Sequence, residues 1–211
     1  MKKFAIVFMC LALSMLLLSG CSCDRGAADP TEETEFVTEA VTEETTEGEV
    51  QLLPIEISLD MIFSSGAGAW ESHITLKNDG SFTGDYHDMD MGSSGEGYES
   101  TVYESSFNGR FTNIKQISDY AYSMTLESVE TENEPETEKI EDWDGVKVRV
   151  VSVDAYGIAD GEEFIFYLPE APTTELDDEF LSWLMAYDED AVLGRYGLYN
   201  IDAETGFFTY D

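Results

Sequence analysis

After residue 50, apolar and polar residues alternate in short stretches through most of the chain, and period-two alternation marks half-buried strands. In Ile55-Glu56-Ile57-Ser58-Leu59-Asp60-Met61 the odd positions are apolar. Trp70, Ser72, Ile74 and Leu76 then alternate with Glu71, His73, Thr75 and Lys77. Asn78-Asp79-Gly80 follows, with Gly80 suited to the left-handed residue of a three-residue hairpin loop. That loop sets Leu76 against Phe82, Ile74 against Gly84 and Ser72 against Tyr86, so apolar residues meet on one face. A two-residue Asp79-Gly80 loop would set Lys77 against Phe82 and mix the faces, which excludes it. Further strands are predicted near 101–112, 118–128, 146–153, 163–168, 196–201 and 206–210. Residues 130–145 read as an acidic loop. Tyr156-Gly157-Ile158 and Tyr196-Gly197-Leu198 read as two similar strand starts. One helix is predicted over 176–187, with Leu176, Phe180, Trp183, Leu184 and Tyr187 on one face and Thr174 as its cap. Eight or nine strands in hairpin succession with one late helix give a mostly β fold: an antiparallel meander closing into a barrel, or alternatively a β-sandwich.

The first fifty residues follow different rules. Met1-Lys2-Lys3 and an apolar run from Phe4 to Leu18 form an export-signal pattern, which is removed on maturation. The run is shorter than the roughly twenty residues that cross a bilayer core. Leu18-Ser19-Gly20-Cys21 resembles the lipobox of bacterial lipoproteins. That resemblance implies a diacylglycerol on the Cys21 thiol and a chain held on the extracytoplasmic face of the cell membrane, where two or three acyl chains give stable attachment. Residues 21–50 are dominated by Thr and Glu, as in Pro30-Thr31-Glu32-Glu33-Thr34-Glu35, and have no apolar period. Like charges and low hydrophobicity predict a solvated tether, about 90 Å long if fully stretched at about 3.3 Å per residue. The organisation expected is therefore a leader over 1–20, a tether over 21–50 and one globular domain over 51–211.

Charge narrows the partners. The formal net charge is −35, and loss of Lys2 and Lys3 with the leader takes it to −37. Such a surface repels phosphates, so nucleic acid is excluded as a partner, while cations and basic protein patches are attracted. No cysteine follows Cys23, so the domain has neither a disulfide nor a thiolate metal site and relies on its apolar core.

Two further resemblances bear on the domain. Gly68-Ala69-Trp70 at the start of a strand resembles the glycine-x-tryptophan start of lipocalins, and Ser118-Asp119-Tyr120 faintly resembles their second motif. This implies a barrel carrying a small apolar ligand, with Trp70, Phe82 and Tyr86 as candidate lining residues. Several runs resemble uncharacterised acidic lipoproteins of clostridia-related Gram-positive bacteria. They are Phe63-Ser64-Ser65-Gly66-Ala67-Gly68-Ala69-Trp70, Asp79-Gly80-Ser81-Phe82, Tyr86-His87-Asp88-Met89-Asp90-Met91-Gly92 and Phe180-Leu181-Ser182-Trp183. That likeness covers most of the domain and implies a Gram-positive cell surface, with no activity attached.

Two groups of residues have metal-binding chemistry. The hairpin register pairs Glu71 with His87 and His73 with Asp85, bringing both histidines of the chain onto one polar face beside carboxylates, a set able to ligate zinc. Asp88, Asp90, Glu96 and Glu99 fall at positions 1, 3, 9 and 12 of a calcium-type loop, although Gly92 and Ser93 occupy the fifth and sixth positions. No G-x-S-x-G, H-E-x-x-H or phosphate-binding glycine loop is present. The sequence therefore points to a non-enzymatic surface module that binds a small ligand. An acidic protein-interaction module and a metal-dependent enzyme stand as alternatives.

Overall fold

The computed structural model describes residues 51–184 and 191–210. The leader, Cys21 and the tether lie outside the described residues, as does the end of the predicted helix at 185–187. The described residues lie in one compact unit, Glu47–Asp211. Among them, no helix is long and apolar enough to cross a membrane.

Among the described residues there are ten strands: β1 (Ser58–Ser64), β2 (Trp70–Lys77), β3 (Ser81–Asp90), β4 (Ser100–Ser118), β5 (Ala121–Thr131), β6 (Glu138–Trp143), β7 (Val146–Ser152), β8 (Glu163–Tyr167), β9 (Gly197–Asn200) and β10 (Thr205–Phe208). Eight of them form a closed antiparallel barrel in the order β1-β2-β3-β4-β5-β8-β9-β10, with β10 returning to β1. The barrel, not the sandwich, is the fold. Its closing seam holds a single register pair, Ile62 with Phe208. The β2–β3 hairpin has the register its sequence dictates, Leu76 opposite Phe82 and Ser72 opposite Tyr86.

Alternation places the core. Met61, Phe63, Ile74, Leu76, Phe82, Phe107, Phe111, Met124, Phe164, Phe166, Leu198 and Phe207 are all buried in one cluster inside the barrel. Two cross-strand pairs interlock there. Gly84 faces Phe107 and Gly109 faces Phe82. A Cβ at Gly109 would lie 2.4 Å from Phe82 Cζ, so each glycine makes room for the opposing ring. The outer wall of β8, β9 and β10 is buried as well. Tyr167, Tyr199 and Phe208 pack there against Phe180 of a short helix, α1 (Asp178–Ser182). Burial on both faces accounts for the unbroken apolar run Phe164-Ile165-Phe166-Tyr167.

Five details depart from the sequence reading. The helix is shorter than 176–187 and is capped by Asp177, whose side chain accepts from the Glu179 N–H, while Thr174 lies in a preceding 3₁₀ turn. β4 and β5 extend to a two-residue turn at 119–120 and are bulged near Phe111 and Lys115, which breaks the period the sequence carries. The supposed acidic loop contains β6, which pairs with β7 through the two-residue loop Asp144-Gly145, both at positive φ. This is hairpin chemistry that the charge of the segment obscured. β7 also pairs in parallel with the start of β4, outside hairpin succession. Finally, the strand expected from Ile55 begins at Ser58, and Ile57 is exposed.

Residues 51–57 instead cross the barrel end that carries the β2–β3 and β4–β5 turns. There the Leu53 N–H donates to Asn78 O at 2.8 Å, and Leu53 and Ile55 are buried against the core. The opposite end is closed by residues 153–162, which connect β7 to β8.

Candidate functional site

The segment 153–162 enters the barrel as a plug. Its apolar members Ala155 and Ile158 are buried in the main core, Ile158 completely. A loop carried this deep must satisfy its backbone carbonyls, since an orphaned buried carbonyl costs about 1–3 kcal/mol. The barrel supplies the donors from four strands. Ser105 Oγ on β4 donates to Asp154 O at 3.2 Å, and Ser72 Oγ on β2 donates to Tyr156 O at 2.7 Å. Asn200 Nδ2 on β9 and Thr205 Oγ1 on β10 both donate to Gly157 O, at 3.0 and 3.3 Å. These are four of the buried polar side chains of the domain, and each faces inward where alternation alone would call for an apolar residue. Gly157 sits at φ +84°, and a Cβ there would lie 2.7 Å from the Phe63 ring, so only glycine fits. Tyr156-Gly157-Ile158 is thus the tip of the plug, not the strand start its sequence suggested. Tyr196-Gly197-Leu198 does lead into β9.

Around the plug the barrel rim is aromatic. The Tyr156 ring stacks on Phe63 at 5.6 Å, meets Trp70 edge-on at 5.4 Å and tilts against Tyr86 at 5.1 Å. Trp183, just past α1, reaches the splayed seam between β1 and β10. Its ring lies 4.7 Å from Phe63, and Nε1 donates to Glu204 O at 2.7 Å. Between the plug and strands β3 and β4 lies a groove of about 310 Å³ lined by Tyr86, Tyr103, Val153, Asp154, Tyr156 and Asp160. Burial, with Asp88 and Tyr156 adding to it, pushes the Tyr86 phenol up to about 12, so it stays protonated at neutral pH. Beside the far end of the plug, the Asp202 carboxylate accepts from the N–H groups of Glu162 and Glu163 at 2.7 and 3.1 Å, which holds its pKa below the usual aspartate value.

Of the three candidate lining residues, Trp70 and Tyr86 belong to this rim, and Tyr86 lines the groove. Phe82 is deep in the core, tilted against Phe111 at 4.9 Å. The supposed zinc ligands pair as the register requires, Glu71 with His87 and His73 with Asp85. His73 is bracketed by carboxylates, with Nδ1 3.7 Å from Asp85 and Nε2 4.0 Å from Asp60 on β1. In the calcium-like stretch Asp88 and Asp90 end β3, and Asp90 Oδ1 accepts from the N–H groups of Gly92 and Ser93 at 2.9 and 3.1 Å, a turn-capping role. The backbone N–H of Glu99 joins β7 by donating to Lys147 O, and Glu96 is exposed. Among the described residues, no three His, Cys, Asp or Glu side chains converge on a point where a metal ion could be held.

No family model, no curated protein and no solved structure matches the chain.

Sequence reasoning missed Tyr103, Asp154, Tyr156 and Asp160 because the groove joins two strands to a loop some fifty residues away, a juxtaposition without a period. One signal for it existed: polar Ser72, Ser105, Asn200 and Thr205 at inward positions imply a buried polar partner inside the barrel.

Proposed function

We propose that this chain is an extracytoplasmic lipoprotein, held to the cell membrane through acyl chains on Cys21, whose barrel is a non-enzymatic module binding a small ligand in the groove beside the plug. The observation that carries this reading is the contrast between centre and rim. The barrel axis is filled by phenyl rings and by the plug, while the rim keeps an open groove of about 310 Å³ lined by tyrosines. That volume is at the small end of the range for ligand sites, roughly 300–1,000 Å³. The ligand position thus moves from the barrel axis, where the lipocalin resemblance would put it, to the rim. The groove also lies at the barrel end opposite residues 51–57.

A second reading, an interaction module for a basic partner protein, is favoured by a different feature. β6 is the terminal strand of the sheet, paired on one side only, and the β6–β7 hairpin leaves Ile140, Trp143 and Val146 exposed.

Native mass spectrometry of the full chain, purified from its own organism without chelator, tests the proposal. A small bound mass, lost on denaturation and depleted in Tyr103→Ala, is the expected result. A bare chain, or a bound mass indifferent to Tyr103→Ala, would overturn it.

A further inference from the structure

Resting on the groove as the ligand site, we infer that its ligand is a small organic cation, an ammonium ion with apolar substituents, taken by the faces of Tyr86, Tyr103 and Tyr156 and by the carboxylates of Asp154 and Asp160. The lining contains three tyrosines, two aspartates and one valine, with no basic side chain. Aromatic faces carry negative quadrupole potential and attract cations, most strongly those that shed water easily, which is the property of alkylated ammonium groups. Two carboxylates at the rim of a chain with net charge −35 add a long-range field of the same sign. An anionic ligand would meet repulsion from every charged group of this lining, and a neutral apolar ligand would gain nothing from the two aspartates.

A divalent metal ion fits less well than an organic cation. Calcium takes six to eight oxygen ligands, whereas the groove offers two carboxylates, and no three acidic or histidine side chains converge among the described residues. The groove is also built in advance. Tyr156, 40% exposed, is fixed from three sides by Phe63, Trp70 and Tyr86. Its backbone is pinned by Ser72, and that of Asp154 by Ser105. A ring already immobilised in the folded protein gives up little entropy when a ligand settles against it.

The test is isothermal calorimetry on the full chain in nonionic detergent, with choline as the probe and 3,3-dimethyl-1-butanol as its uncharged isostere of the same shape. Choline is expected to bind saturably, and the isostere at least about tenfold more weakly. Raising sodium chloride from about 20 mM to about 300 mM is expected to weaken choline binding roughly threefold, through screening of the carboxylates. Asp160→Asn is expected to weaken it about threefold to tenfold. Tyr156→Phe, which keeps the ring, is expected to stay within about twofold, and Tyr156→Ala to lose at least about tenfold. If Tyr156→Ala loosens the plug, Asp160→Asn and Tyr103→Ala carry the test without touching the tip. Equal affinity for choline and its isostere would overturn the cation assignment while leaving the groove as the ligand site. So would a small mass bound by the native chain that choline does not displace. Failure of both compounds to bind, together with a bare native mass, would remove the groove and the cation at once.

Discussion

Asn200 ties the plug to the barrel, and Asn200→Ala measures how much that tie contributes. The side chain is fully buried. Its Nδ2 donates to Gly157 O at 3.0 Å, and its Oδ1 accepts from the Ala203 N–H at 3.2 Å. Each hydrogen bond contributes about 0.5–1.5 kcal/mol, and truncation leaves a small void as well. The Gly157 carbonyl keeps a longer bond from Thr205, and Ala203 is only half-buried, so neither partner is fully orphaned. The expected loss is therefore about 2–3 kcal/mol, well short of the cost of an isolated buried polar group. Ser72→Ala removes one bond to Tyr156 O and should cost about 1 kcal/mol. Because the two residues hold adjacent carbonyls of one loop, the double variant should depart from additivity by at least about 0.5 kcal/mol. Urea unfolding of the full chain followed by tryptophan fluorescence gives these values, and hydrogen exchange should show residues 153–162 opening faster. An Asn200→Ala variant within about 0.5 kcal/mol of wild type, with unchanged exchange over 153–162, would refute the plug as a held element.

Other expectations follow from the same geometry. Gly109→Ala places a methyl 2.4 Å from both Phe82 Cζ and Ser128 O and should cost about 2–3 kcal/mol in the same urea assay. Trp183→Ala opens the seam closed by Ile62 and Phe208 and should cost about 2–4 kcal/mol, with loss of near-ultraviolet signal from the Phe63–Trp70 cluster. The folded-state pKa of Asp202 is depressed, so its contribution to stability is complete above the usual aspartate pKa near 4 and is lost as pH falls through the lower folded value. A pH series of urea midpoints should accordingly show a shallower acid limb in Asp202→Asn. Metabolic labelling with an alkyne fatty acid should mark the wild-type chain, and Cys21→Ser should abolish the label and release the protein from the membrane fraction.

How far the sequence reveals this molecule depends on whether a feature has a period. The β2–β3 hairpin does: alternation and the Asn78-Asp79-Gly80 loop determine its register to the residue, whereas hairpin succession leaves barrel and sandwich both open, and the pairings of β5 with β8 and of β10 with β1 close the barrel. β6 has no such pattern because both its faces are wet, and only Asp144-Gly145 marks its turn. The helix boundary moved because Asp177 offers a better-placed cap than Thr174. Trp70 and Tyr86 were recognisable, with Phe82, as candidate cavity-lining aromatics, whereas Tyr103, Tyr156, Asp154 and Asp160 meet only once the plug folds back between β7 and β8. His73 illustrates the converse: a correct register brings it within 3.7 Å of Asp85, yet Asp85 and Asp60 lie at opposite nitrogens of its ring and do not converge on one point.

The proposed function puts ligand binding at the plugged rim and not along the barrel axis. Hydrogen exchange of the full chain with and without choline locates it directly. Protection should appear in residues 153–160 and around Tyr86 and Tyr103, with β8, β9 and β10 unchanged. Protection spread along the inner strands, or confined to the β6–β7 hairpin, would rule out rim binding.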